Sequence, residues 1–547
     1  MDTTAPAGAE IEARRELDYE VVVIGAGMCG LYAIHLLTRM GIEATVLEAA
    51  DGIGGNWYAN RYPGCRFDSE SFSYGYSFSP EVLAEWDWKE MFAPQPEVLR
   101  YIEFVADKLD LRRHVQTRTR VEKAVFDAAE HAWTITVADG REIRTRYILT
   151  AVGLLTIPSV PPFEGRETFR GQSFHTHDWP HEQVDLAGKR VAVIGTGSSG
   201  VQVISAIADE VAELTVYQRN PNWCAPLNNS PIDAERMKEI RSSYDEVFAR
   251  CKETPGGFIH GPLAEKAVET PEDERLALWE RLYGEPGFGI CYANYRDTGM
   301  EREANALLSK FIADKIRARV DDQQVAEKLI PQDHGFGAKR VILETNYYEA
   351  YNRDNVSLVD LRETPIERIT PDGIVTAEGE REFDVIVYAT GYDSVTGSFD
   401  RIDFRGVGGE SLREKWADGP VTFLGVQMHG FPNLFMLTGP QSGSGASNFP
   451  RGIEEICEWT TTLLDWARER GYSWIEARED AEREWLQHVQ ERAGYVLLSE
   501  TKSWLTGYSA GKRPKSPRHL IYLGGVPRYR RFIEAQASEG YPGFEFR

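Results

Sequence analysis

An apolar strand, a glycine-rich turn and an amphipathic helix occur twice in this 547-residue chain, and the duplication constrains its fold more than any other feature. The first copy runs from Tyr19–Ile24 into G-A-G-M-C-G (Gly25, Gly27, Gly30), then through Leu31, Ile34, Leu37 and Met40 at helical spacing to Gly41. A second strand, Ala44–Leu47, ends in Glu48. In such a unit the first glycine permits a tight turn, the second lets backbone approach a pyrophosphate, and the third packs helix on strand. The pyrophosphate sits at the helix N-terminus, where free N–H groups and the dipole favour negative charge. Glu48 is then placed to accept hydrogen bonds from a ribose.

The second copy has the strand Arg190–Ile194, then G-T-G-S-S-G (Gly195, Gly197, Gly200), a helix carrying Val203, Ile204, Ile207 and Val211, and the strand Leu214–Tyr217. Where the first copy has Glu48, the second has Gln218 followed by Arg219. A carboxylate would repel a 2′-phosphate, whereas a guanidinium can bind one through its fork. The first site therefore reads as FAD and the second as NADPH.

The length calls for about three or four domains. A net charge of −24, from 61 basic and 85 acidic side chains, argues against nucleic acid and anionic membrane surfaces as partners. Anionic cofactors must then be held by local features. Six cysteines show no CxxC pair and no zinc spacing, which predicts reduced thiols and no metal site. The first fifteen residues contain no apolar signal region and no run is long enough to span a membrane, so the expected location is the cytoplasm.

Two further motifs are specific. Gly54 to Asp68 reads G-G-N-W-Y-A-N-R-Y-P-G-C-R-F-D, and Phe169 to Pro180 reads F-R-G-Q-S-F-H-T-H-D-W-P directly before the second loop. Together they resemble the two signatures of Type I Baeyer–Villiger monooxygenases. Disulfide reductases with a similar plan carry a redox C-x4-C near the first motif, where this chain has only Cys65. Tyr147–Leu155 and Phe383–Asp393 resemble the linkers of flavoproteins whose NADPH domain is inserted into the FAD domain. The first has A-V-G where A-T-G is more usual.

The resemblance implies an α/β fold with two Rossmann-like dinucleotide-binding domains and a helical insert. The expected boundaries are a disordered tail at 1–18, FAD-binding parts at 19–157 and 391–547, NADPH-binding parts at 158–223 and 334–390, and a helical subdomain at 224–333. Within the insert, A-E-R-M-K-E-I-R-S-S-Y-D-E-V-F-A-R-C and E-R-E-A-N-A-L-L-S-K-F-I-A-D-K-I-R-A-R-V read as amphipathic helices, with no chemistry of their own visible.

The activity implied is flavin C4a-peroxide-mediated insertion of oxygen from O2 into a ketone, giving an ester or lactone. Arg340 becomes the active-site arginine beside the flavin and Asp68 the carboxylate that orients it. Lys339 joins Arg219 at the 2′-phosphate. Gly55, Trp57, Tyr74, Thr196, Ser198, Ser199, Gln202 and Gln441 are further cofactor contacts, and Trp504 covers the nicotinamide from a C-terminal lid. Ser444, Gly445, Ala446 and Ser447 form a substrate loop. Phe169, Gly171, His175, Trp179 and Pro180 are hinge and packing residues. A monomer or weak homo-oligomer is expected. The alternatives are an oxygenase acting on nitrogen or sulfur, and a non-oxygenating NADPH-binding flavoprotein sensor.

Overall fold

The computed structural model describes residues 16–508 and 519–547. Residues 1–15 of the expected tail lie outside the described residues. Asp18 already exchanges hydrogen bonds with Arg144, at 3.0 and 2.8 Å, so the chain joins the first sheet at that point.

That sheet is centred on Tyr19–Ile24, which lies parallel between Ala44–Leu47 and Glu142–Thr150. Val21, Val22 and Val23 are wholly buried, as a continuous apolar run requires when both sheet faces are covered. Val115–Gln116 extends one side, and Leu434–Met436 returns from late in the chain to lie parallel to Glu142–Thr150. Val121–Asp127, Ala132–Val137 and Glu142–Thr150 add an antiparallel meander, edged by Asp403–Arg405.

A second sheet has five parallel strands in the order Val356–Asp360, Glu213–Gln218, Arg190–Ile194, Val385–Tyr388 and Gln172–His175. The expected strand at Leu214–Tyr217 is thus longer by one residue at each end. The loop helices are Met28–Arg39 and Ser198–Ile207. The two loops share their stereochemistry. Gly25 and Gly195 have φ of +105° and +110°, and a Cβ on either would strike the carbonyl oxygen of Ala151 or Ala389 respectively.

The insert is helical, with Ala234–Glu253, Glu272–Gly284, Arg302–Arg319 and Gln323–Leu329 as its main helices. Its two longest helices fall where the amphipathic segments predict them. Yet the insert does not build one core of its own. Met237, Ile240, Tyr244 and Phe248 join the core around the first nucleotide unit. Leu308, Phe311, Ile312 and Ile316 instead share a core with Val201, Val203, Ile204 and Ile207 of the second unit. The segment 224–333 therefore straddles both nucleotide units.

Candidate functional site

Both loops present bare helix N-termini. Gly27 and Gly197 are the N-cap residues, neither helix has a side-chain cap, and neither has an acid in its first turn. The first N–H groups are thus left for an external anion. Gly55 packs its backbone on Gly27, so that a Cβ on Gly55 would lie 3.0 Å from the Gly27 Cα, while a Cβ on Gly197 would meet nothing within 4 Å. Gly30 and Gly200 press against the carbonyls of Gly25 and Gly195, the close approach that ties helix to turn. Glu48 accepts from the backbone N–H of Ala26 and of Ala50, each at 2.7 Å. A carboxylate has about four acceptor sites, so two remain for ribose hydroxyls. These features fit a dinucleotide at each loop.

On the second unit Arg219 is exposed and carries no ion pair among the described residues, leaving its fork available. Gln218 faces inward instead, its Nε2 donating to Lys328 O at 2.8 Å. Lys339 is held 3.2 Å from Asp333. Thr196 is buried and donates to Asn220 O at 3.2 Å, whereas Ser198 is exposed and Ser199 half-buried at the helix start. Gln202 bridges to the other unit: it accepts from Tyr62 Oη at 2.9 Å and donates to Arg66 O at 3.0 Å.

The G-x-W motif builds an aromatic wall behind Asp68. Trp57 Nε1 donates to Tyr74 Oη at 3.0 Å, Phe67 stacks on Tyr74 at 4.4 Å, and burial holds the Tyr74 phenol neutral. Asp68 then emerges to meet Arg340, whose Nη2 lies 2.8 and 2.9 Å from the two carboxylate oxygens. The guanidinium also lies 4.8 Å over the Phe288 ring. Burial opposes its charge, but the attraction of the Asp68 carboxylate outweighs this and raises the pKa above the ordinary arginine value. Burial pushes Cys291 and Tyr292, beside it, up to about 12 each, despite the opposing pull of Arg340. Arg340 is therefore a permanent cation paired with the Asp68 carboxylate, while Cys291 and Tyr292 beside it stay neutral.

Phe288, Cys291 and Tyr292 are site residues that the sequence does not disclose, because they belong to the insert and carry no motif. Cys65 sits within the motif, but burial pushes its thiol up to about 12, which leaves no thiolate for disulfide exchange. All six cysteines are free. Among the described residues no group of His, Cys, Asp or Glu is placed to hold a metal ion, and no helix is long and apolar enough to cross a membrane.

The fingerprint residues lie at the edge of the second sheet. His175 pairs in register with Tyr388, accepts from His177 N at Nδ1, and faces Gly391 O through Nε2 at 3.1 Å. Trp179 packs 5.1 Å from Phe174, and Pro180 is half-buried. Phe169 packs at the edge of a core with Ile369 and Tyr388, and a Cβ on Gly171 would meet Asp384 O. None of these touches Arg340.

In the expected substrate loop, the side chains of Ser444 and Ala446 lie outside the described residues. Gly445 faces inward, where a Cβ would meet Ile521 at 2.6 Å, and Ser447 is buried beside Gly257 of the insert. Gln441 is buried at φ +68°; its side-chain amide donates to Pro420 O at 2.9 Å and accepts from Thr422, and its backbone N–H donates to Leu520 O at 2.8 Å. Trp504 packs against the small cluster formed by Leu154, Val395 and Leu520.

Two bare nucleotide loops, each following a strand with parallel neighbours, and an arginine–aspartate pair between them define a flavoprotein oxidoreductase with two dinucleotide sites. A family model described as pyridine nucleotide-disulphide oxidoreductase matches residues 22–253. Cyclopentanone 1,2-monooxygenase of Comamonas sp. (strain NCIMB 9872) is 41% identical over 545 residues, covering 99% of this chain and 98% of the relative. Phenazine N-monooxygenase PhzNO1 of Lysobacter antibioticus is 38% identical over 96% of each chain. A crystal structure of OTEMO in complex with FAD and NADP is 43% identical, with a TM-score of 0.94 over 97% of this chain and 100% of the other. The chain belongs to the Baeyer–Villiger monooxygenases, oxidoreductases that use FAD and NADPH.

Proposed function

We propose that this chain oxygenates ketones to esters or lactones with Arg340 as its charge-stabilising catalytic residue and Asp68 as that residue's orienting partner. The observation that carries the assignment is the Arg340–Asp68 pair at 2.8 Å, set on Phe288 among neutral groups. Bound FAD, reduced by NADPH, supplies the oxygen donor by reaction with O2. Arg340 would face the negative charge developing on the transferred oxygen and on the ketone oxygen, where a cation fixed beforehand stabilises it, the more so once bound cofactor and substrate cover the half-exposed guanidinium. Because a guanidinium does not release its proton at working pH, it stabilises an anionic oxygen without protonating it. Asp68 fixes the fork and offsets its charge.

Gly25, Gly27, Gly30, Glu48 and Gly55 hold FAD in this reading, and Gly195, Gly197, Gly200 and Arg219 hold NADPH. The boundaries 19–157 with 391–547, and 158–223 with 334–390, are the proposed FAD- and NADPH-binding parts. The enzyme acts in the cytoplasm as a monomer or weak homo-oligomer, and nucleic acid is no partner.

The test is ester product against hydrogen peroxide per NADPH consumed. In Arg340→Ala, which retains FAD, ester formation should fall by about two to four orders of magnitude, the range for removing a charged transition-state donor. Full coupling in this variant would assign the role elsewhere. A second reading, oxygenation at nitrogen, draws on the resemblance to the phenazine N-monooxygenase. Product mass from a cyclic ketone beside an aromatic nitrogen heterocycle separates the two.

A further inference from the structure

Arg340 is gripped by two jaws from different parts of the chain: the carboxylate of Asp68 and the ring of Phe288 in the insert. A second contact ties together the segments beside those jaws. Glu70, two residues past Asp68, is only 2% exposed, and its Oε1 lies 2.7 Å from Nε2 of His260. A carboxylate oxygen at that distance places a proton on Nε2, so His260 donates. The backbone around Glu70 is also fixed, since its carbonyl accepts from the N–H groups of Ser73 and Tyr74 at 2.9 and 3.0 Å.

The other end of this contact leads into the aromatic jaw. Gly287, immediately before Phe288, sits against the same carboxylate oxygen: a Cβ there would lie 2.7 Å from Glu70 Oε1, and its φ is +76°. Phe258, two residues before His260, lies 5.3 Å from Phe288 and stacks on Tyr292 at 5.0 Å. One buried hydrogen-bonded pair therefore connects the Asp68 segment to the turn that carries Phe288. The other carboxylate oxygen of Glu70 has only a longer contact, 3.4 Å from Ser73 Oγ, so His260 is the close side-chain partner of this buried group, and leaving a buried carboxylate short of partners is destabilising.

We propose that His260 and Glu70 form a positioning couple that fixes the insert's aromatic jaw against the Asp68 segment and so holds the Arg340 guanidinium in one orientation. Neither residue touches Arg340. They act through Phe288 and Asp68, and their catalytic consequence rests on the reading of Arg340 given above. Loss of the couple should leave both nucleotide loops intact, because these lie on other elements, and should let the guanidinium wander.

Phenylglyoxal labelling of each arginine in the FAD-loaded protein, read by peptide mass spectrometry, tests this without turnover. In His260→Ala, labelling of Arg340 should rise at least about fivefold, the factor that a coupling near 1 kcal/mol corresponds to. His260→Gln, whose amide can donate to the same oxygen, should restore the low rate. Arg275, tied within the insert to the carbonyls of Ala267 and Thr270, should label at the wild-type rate in both variants. The fraction of NADPH oxidised to hydrogen peroxide should rise in His260→Ala and return in His260→Gln. Glu70→Gln, which keeps the shape and removes the charge, should move Arg340 labelling in the same direction and serves if His260→Ala does not accumulate. Unchanged Arg340 labelling in these variants overturns the proposal, as does a parallel rise at Arg275, which would mean general loosening. If Arg340 labelling responds as expected while Arg340→Ala stays fully coupled, the positioning stands and the catalytic assignment of Arg340 falls.

Discussion

His175 is neutral because both ring nitrogens are committed: Nδ1 accepts from His177 N, so the proton sits on Nε2, facing Gly391 O. Burial pushes its pKa from 6.5 down to about 4. An unfolded histidine binds a proton below its ordinary pKa, whereas the folded one does not until the lower value is reached. Stability from this residue is therefore fully present above pH 6.5 and is lost as pH falls toward 4, by at most about 3 kcal/mol. His175→Asn keeps an acceptor for the His177 N–H and cannot charge, so its unfolding free energy should fall less steeply across that window. Urea unfolding at a series of pH values decides the matter, and equal slopes would reject it. Arg219 gives a second test at this scale. Arg219→Ala should raise the NADPH KM, with binding weaker by about 1.5–3 kcal/mol, and leave NADH nearly unaffected. Equal effects on both nucleotides would remove Arg219 from the 2′-phosphate site. Arg219 is legible in sequence because its place follows from local spacing after a strand. Gln441 is not, because the orientation of its amide depends on Pro420 and Thr422, which meet it only in the folded chain. Phe288, His260 and Glu70 are hidden for the same reason: the partners are far apart in sequence and match no motif.

The two glycine loops carry similar local strain but are assigned to different cofactors in the proposed function, which makes them separable. At Gly25 a side chain would need φ near +105° and would clash with Ala151 O at 2.6 Å; Gly195 is in the same position against Ala389 O. The left-handed region alone costs a non-glycine residue roughly 1–2 kcal/mol. Gly25→Ala should therefore yield protein lacking FAD. Gly195→Ala should retain FAD, still bleach with dithionite, and reduce only slowly with NADPH. Absorbance of the flavin under each reductant checks both, and normal NADPH reduction in Gly195→Ala would mean that this loop does not seat the nucleotide. These elements are readable because strand, turn and helix are contiguous and each has its own period. The meander Val121–Asp127, Ala132–Val137 and Glu142–Thr150 and the strand Asp403–Arg405 are not marked in this way. A three-residue strand is too short to show alternation, and its neighbour is decided by tertiary packing.

At the scale of the whole molecule the insert acts as a strap. Its first long helix places Phe248 in the core of the first nucleotide unit, where Arg451 also lies 4.6 Å over the ring. Its later helix places Ile312 in the core of the second unit. The sequence shows the helices, through their apolar periodicity, but not this division, because periodicity identifies a buried face without naming what covers it. The division has a thermodynamic consequence. A self-contained subdomain could unfold first and leave both cofactor sites standing, whereas a strap shared by two cores cannot. Phe248→Ala and Ile312→Ala, at 8% and 0% exposure, should each cost about 2–5 kcal/mol, the range for large-to-small changes in a core. Because the cost falls on shared cores, each variant should lower one common calorimetric transition, and FAD release should track that same transition in both. Ile312 is the sharper probe, since it lies in the core of the unit assigned to NADPH and yet should bring FAD release forward. An early, separate transition in Ile312→Ala with FAD still bound would show that the later helices unfold independently, and the strap would then be no more than a tether.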